Sequence, residues 1–224
     1  MGGESLSRTH IGDIWMNSIK KNKEAGIKAH LHVVITDRLT SEFCQLLQRG
    51  FMIEAQVGCN VSKFLCEQIG VTPEYVQGRI QSVFLDGKPV DDLDSAVIKN
   101  GSRLALSAAM PGLVGATMRR GGLYSSLRSA VTYRETGDQS PTAEGFVQLK
   151  LFNLLMKELG PYLLRRNILL KSSDLVDFFK EQSEDFWQGC KGIFFNGKPV
   201  DPDLLRGGDW LIQHELVELS IDSL

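Results

Sequence analysis

Apolar residues at Leu31, Val33 and Ile35 alternate along the chain and predict a strand with one buried face. A turn and a short helical stretch carrying Leu39, Phe43, Leu46 and Leu47 lead to a second strand over 51–57. Asn60 is placed to cap a helix on which Val61, Phe64, Leu65 and Ile69 recur at helical spacing. A strand over 80–85, an Asp86-Gly87 turn and a last strand over 103–109 complete the series. The succession then returns. Strands are predicted over 146–152 and 168–172, followed by a helix from about Asp174 with Leu175, Phe178 and Phe179. A strand over 192–195 runs into Asn196-Gly197, and Val217, Leu219 and Ile221 alternate with Glu218 and Ser220 in a closing strand.

The recurrence extends to the residues themselves. Gly87-Lys88-Pro89-Val90-Asp91 reappears as Gly197-Lys198-Pro199-Val200-Asp201, an offset of 110. Leu46 to Ile53 parallels Leu163 to Leu170, and Phe64 to Gln68 parallels Phe178 to Gln182. Three blocks in one order point to an internal repeat. A hairpin, a helix and further strands in each copy make an α+β unit, a mixed sheet with one helix packed across it. The expected organisation is an N-terminal arm (1–28), a first domain (29–112), a Gly/Arg/Ser-containing tail or linker (113–145) and a second domain (146–224). In the arm, Ile11, Ile14, Trp15, Ser18 and Ile19 fall at helical spacing before Lys20-Lys21-Asn22-Lys23, which predicts a short amphipathic helix docked on the first domain. The polar, turn-forming stretch from Thr136 to Thr142 predicts mobility.

Composition narrows the function classes. A formal net charge of −2 argues against a general nucleic-acid binder. The four cysteines include no C-x-x-C pair, and His10, His30, His32 and His214 show no zinc-ligand spacing, so no metal is expected. Reduced, mostly buried thiols and the lack of a secretory signal read as cytoplasmic. Leu104 to Met118 is uncharged for fifteen residues, yet Pro111, Gly112 and Gly115 interrupt it, so no membrane span is expected.

The element order, the Asp/Asn-Gly-Lys-Pro-Val-Asp turns and the Gly208-Asp209 corner before the last strand resemble the ubiquitin-like β-grasp sulfur carriers, the molybdopterin synthase small subunit and the thiamine sulfur carrier. The resemblance covers both repeats and implies two tandem β-grasp domains. It further implies a non-catalytic protein that partners an adenylating or cofactor-assembly enzyme and needs no cofactor of its own. Carriers of this kind work through a C-terminal Gly-Gly, whereas this chain ends Ile221-Asp222-Ser223-Leu224. An internal Arg119-Arg120-Gly121-Gly122 does resemble such a tail. Release after Gly122 would expose a carrier end at Gly121-Gly122. The alternative is a Gly-containing linker.

The same region, Leu104 to Arg134, lacks Asp and Glu while holding Arg119, Arg120, Arg128 and Arg134, which makes Arg119 and Arg120 candidates for contact with an acidic partner surface. With Tyr124 and Tyr133 as the aromatic residues there, a nucleic-acid role is disfavoured. No P-loop, H-E-x-x-H or G-x-S-x-G motif occurs, leaving an unrecognised inter-domain site as the enzymatic alternative. His30 and His32 share a strand face, Cys59 sits beside a helix start near Cys66, and Lys88 and Lys198 flank turns; polar face, buried thiols and solvated amines are the simplest readings.

Overall fold

The computed structural model describes residues 29–134, 142–208 and 210–224. The expected arm over 1–28, most of the turn-rich 136–142 stretch and Asp209 lie outside the described residues. The described strands are β1 (Ala29–Ile35), β2 (Phe51–Val57), β3 (Ser82–Leu85), β4 (Lys88–Pro89), β5 (Arg103–Ser107), β6 (Ala143–Phe152), β7 (Ile168–Lys171), β8 (Cys190–Phe195), β9 (Lys198–Pro199) and β10 (Leu216–Ser223). Helices α1 (Thr40–Cys44), α2 (Leu46–Arg49), α3 (Val61–Lys63, continued by a π-helical turn over Phe64–Ile69) and α4 (Pro73–Gly78) belong to the first repeat. Then come α5 (Gly112–Met118), α6 (Leu154–Leu164), α7 (Ser172–Lys180), α8 (Glu184–Gly189) and α9 (Pro202–Gly207).

Local chemistry accounts for several boundaries. Asn60 Oδ1 accepts the Lys63 N–H at 2.7 Å, which satisfies a donor that the helix itself leaves unpaired. Asp86 and Gly87 have φ of 52° and 83°, and Asn196 and Gly197 have 49° and 75°, the doubly left-handed turn that matches strand twist. Each turn feeds a two-residue edge strand ending in proline, Pro89 or Pro199, which withholds an N–H from any further strand.

The strands form one mixed sheet in the order β4-β3-β5-β6-β2-β7-β10-β1-β8-β9. Such a sheet is unlike two small domains, each with a sheet of its own, so the boundaries at 112 and 146 do not divide it. The opening strands have changed places. β6, which opens the second repeat, lies between β5 (parallel) and β2 (antiparallel) of the first. β1, which opens the first repeat, lies between β10 (parallel) and β8 (antiparallel) of the second. The halves meet where Met52 of β2 faces Leu169 of β7.

One face carries the main core, in which Leu31, Val33 and Ile35 of β1 join Val147, Leu149 and Leu151 of β6 and the helices of both repeats. Phe43 of α1, fully buried, meets Phe178 and Phe179 of α7 and Phe186 of α8 at ring separations of 5.2, 6.2 and 5.4 Å. A separate cluster of Met52, Phe146, Leu169 and Leu216 sits on the opposite face.

Helices α4 and α6 are tied by Glu158, which accepts from Tyr75 Oη at 2.5 Å and from the Arg79 guanidinium. The bond from Tyr75, then that from Arg79, lowers the Glu158 carboxyl pKa. A carboxylate lowered in the folded state stabilises it above the unfolded-state pKa, and that contribution disappears as pH falls through the folded value. Glu158→Gln is therefore expected to show a smaller drop in Tm than the parent between pH 7 and the acid range below about pH 4.3, the unperturbed Glu pKa. Thermal melts across that range test this, and parallel Tm-against-pH curves would reject it.

Candidate protein-docking ledge and groove

After β5 the chain turns at Met110 and Pro111 into α5. A Cβ on Gly115 would fall 2.1 Å from the Met110 carbonyl oxygen, so only glycine lets the helix fold back this closely. Beyond α5 the chain runs as a strap along the β3–β4 edge, held by an inward set of bonds. The Arg120 N–H reaches Gln81 O at 2.7 Å, and its guanidinium donates to Val76 O at 2.9 Å and Ile80 O at 3.3 Å. Burial lowers the Arg120 pKa, with Asp91 and Asp94 acting in the opposite sense. The Gly121 N–H donates to Asp91 Oδ1 at 3.1 Å.

Arg128 is the centre of this anchorage. Its side chain is 3% exposed and forks onto Asp91, at 2.6 Å to Oδ1 and 3.0 Å to Oδ2. The remaining donors go to Thr117 O, Thr132 Oγ1 and Arg119 O, so the buried guanidinium is fully satisfied. A further bond from the Tyr133 N–H to Pro89 O at 2.8 Å closes the strap.

Together α5 and the strap expose several apolar side chains. Leu113 and Val114 are 71% exposed, Leu123 95%, Leu127 73% and Val131 54%. Beneath α5 lies a groove of about 440 Å³, bordered by Phe84, Ala105, Met110, Val114, Phe152 and Asn153. Asn153 has φ 56° and ψ −134°, a backbone state that favours glycine and costs roughly 1–3 kcal/mol in other residues. Its Nδ2 donates to Ser107 Oγ at 2.9 Å, joining the ends of β5 and β6 at the groove.

The Arg119-Arg120-Gly121-Gly122 segment is thus a closed turn, with the Gly122 N–H on Arg119 O at 3.2 Å and the Ser125 N–H on Gly122 O at 3.0 Å. Of the two arginines offered to a partner, Arg119 is exposed and Arg120 is directed into the fold. Gly121, at φ 61°, is exposed and Gly122 half-buried. Asp91 and Arg128 are thirty-seven residues apart, a spacing that carries no sign of their pairing. Asp91 belongs to the repeated pentapeptide, but its counterpart Asp201 instead caps α9, accepting the Asp203 N–H at 2.8 Å.

Other sequence candidates are placed as follows. His30 Nε2 and His32 Nδ1 both lie against Ser220 Oγ, at 3.1 and 3.0 Å, and His32 Nε2 is 3.7 Å from Asp222. Strand pairing brings these four polar residues together on the face away from the main core. No group of three or more His, Cys, Asp or Glu able to hold a metal occurs among the described residues. Burial raises the Cys59 and Cys66 thiol pKa values, outweighing the Cys59 backbone hydrogen bond and Lys63. Lys88 and Lys198 are exposed beside their turns. No helix among the described residues is long and apolar enough to cross a membrane. No family model, curated protein or solved structure matches the chain.

Proposed function

We propose that the protein is a non-catalytic binding module built from two exchanged β-grasp-like units, and that it holds a protein partner on the ledge formed by 113–131. One observation carries this reading. Five large apolar side chains, each more than half exposed, lie along α5 and the strap that follows it, which the buried Arg128 side chain anchors to Asp91. Exposed apolar surface forgoes roughly 25 cal/mol per Å² that a partner would recover, and contiguous patches of this kind mark interaction sites. A strap already fixed loses little further freedom on binding. The resemblance to sulfur carriers makes an ATP-dependent adenylating or cofactor-assembly enzyme the partner class. The closed turn at 119–122 favours the intact chain over a carrier released after Gly122.

A Leu123→Asp/Leu127→Asp variant tests the ledge. Both side chains are exposed, so stability should stay within about 0.5 kcal/mol of the parent. Affinity for the adenylating enzyme of the same cells, measured by calorimetry with purified proteins, should fall by about tenfold or more. Equal affinity of parent and variant removes the ledge from the interface, and a parent that does not bind removes the partner class.

A further inference from the structure

The groove beneath α5 meets the ledge only at Val114 on its rim. Its floor comes from β3, β5 and β6. Phe84, Ala105, Ser107 and Phe152 alternate there with the core residues of those strands, and Met110 and Val114 wall the floor. We propose that this groove is a binding site for an uncharged small molecule with an apolar body and one hydrogen-bonding head.

A polar end of the floor calls for the head. Asn153 Nδ2 spends one hydrogen on Ser107 Oγ. The second amide hydrogen, the amide oxygen and the Ser107 hydroxyl hydrogen remain to serve a ligand. Ser82 stands opposite Ser107 in the β3–β5 ladder and is 1% exposed, and its buried hydroxyl has no partner among the described residues. This corner therefore holds more polar atoms than it pairs, which is uncommon for buried groups. Asn153 is also held at a positive φ that favours glycine, and backbone strain of this kind collects at ligand sites.

Charge sets the ligand class. No titratable side chain borders the groove among the described residues. Lys150, in register with Ala105, lays its chain against Gly50 instead. A carboxylate or ammonium in the groove would lose hydration without meeting a counter-charge, a cost that a neutral head avoids. The volume of about 440 Å³ falls among small-molecule sites, which span about 300–1,000 Å³. The roof is preset, because Gly115 seats α5 against Met110 and the bonds of Arg120 and Arg128 hold the chain beyond it. A ligand therefore enters without first ordering the protein. This site does not depend on the partner proposed for the ledge.

The probes are cinnamamide and cinnamate, which share one aromatic body and differ in the charge of the head. Each is titrated into the isotopically labelled full chain, and binding is read from backbone amide shifts in NMR spectra. Cinnamamide should bind with a Kd of about 1 mM or tighter and shift Ala105, Ser107, Phe152 and Asn153. Cinnamate should bind about tenfold more weakly or not at all. Ala105→Leu, which adds bulk to the floor, should weaken cinnamamide about tenfold or more. Ser107→Ala removes one hydroxyl without adding bulk and should weaken it about threefold to tenfold. Should Ala105→Leu fail to fold, the charge comparison and Ser107→Ala still decide. No binding of cinnamamide, shifts confined to the ledge at Leu123 and Leu127, equal affinity for cinnamate, or full affinity in either folded variant would overturn the proposal.

Discussion

Phe43→Ala is expected to cost about 3–5 kcal/mol and to lower the midpoint of a single unfolding transition for the whole chain. Phe43 is fully buried, so the loss combines the transfer energy of the ring with the cavity left behind. The cooperative part of the expectation comes from where its neighbours lie in sequence. Phe43 belongs to the first repeat, whereas Phe178, Phe179 and Phe186 belong to the second. Each half-sheet also contains the opening strand of the other repeat, so neither repeat can unfold without withdrawing a strand from its neighbour. Urea unfolding followed by far-ultraviolet circular dichroism and tryptophan fluorescence tests both parts. In a Trp15→Phe background, Trp187 and Trp210 report from the second repeat, and their signal should move together with the overall secondary structure. Two separated transitions, with only the earlier one displaced by Phe43→Ala, would show that the repeats fold independently.

The second large effect concerns the strap. Arg128→Ala is expected to destabilise it by about 3 kcal/mol, the lower end for breaking a buried ion pair, because Asp91 retains one-third side-chain exposure and can be partly solvated. The change also leaves the carbonyls of Thr117 and Arg119 without their donor. Opening should be local, raising hydrogen exchange across 112–134 and tryptic cutting at Arg119 and Arg120 while exchange in β1 and β10 stays slow. The Asp91→Ala/Arg128→Ala double variant should be little worse than Arg128→Ala alone, since the two groups act as one unit. Additive losses, or unchanged protection of the strap, would show that the pair does not anchor it. Loss of partner binding in Arg128→Ala together with retained overall stability would link anchorage to the ledge.

Elements whose causes lie within a few residues were legible in the chain. The Asn60 cap and the Asp86-Gly87 and Asn196-Gly197 turns depend on neighbouring backbone groups, and each is found where the residues place it. Strand alternation foretold the buried sides of β1 and β10 because side-chain direction has a period of two. The candidate site was only half legible. Arg119, Arg120, Gly121 and Gly122 read as a tail in the sequence, yet Arg120 turns inward because the carbonyls of Val76 and Ile80 accept its guanidinium. The exposed apolar ledge could not be recognised, since Leu113, Val114, Leu123 and Leu127 are the residue types that ordinarily fill a core.

Sequence by itself determined the α+β character, the repeat and the local turn and cap chemistry, all of which follow from short-range sterics and hydrogen bonding. Tertiary structure alone decided which opening strand entered which half-sheet. β1 and β6 carry a similar apolar alternation, and that pattern states which face is buried but not which neighbour supplies the hydrogen bonds. It also decided that Arg128 meets Asp91, because a bidentate pair between residues so far apart in the chain exists only after the strap has crossed the sheet edge and excluded water from the guanidinium.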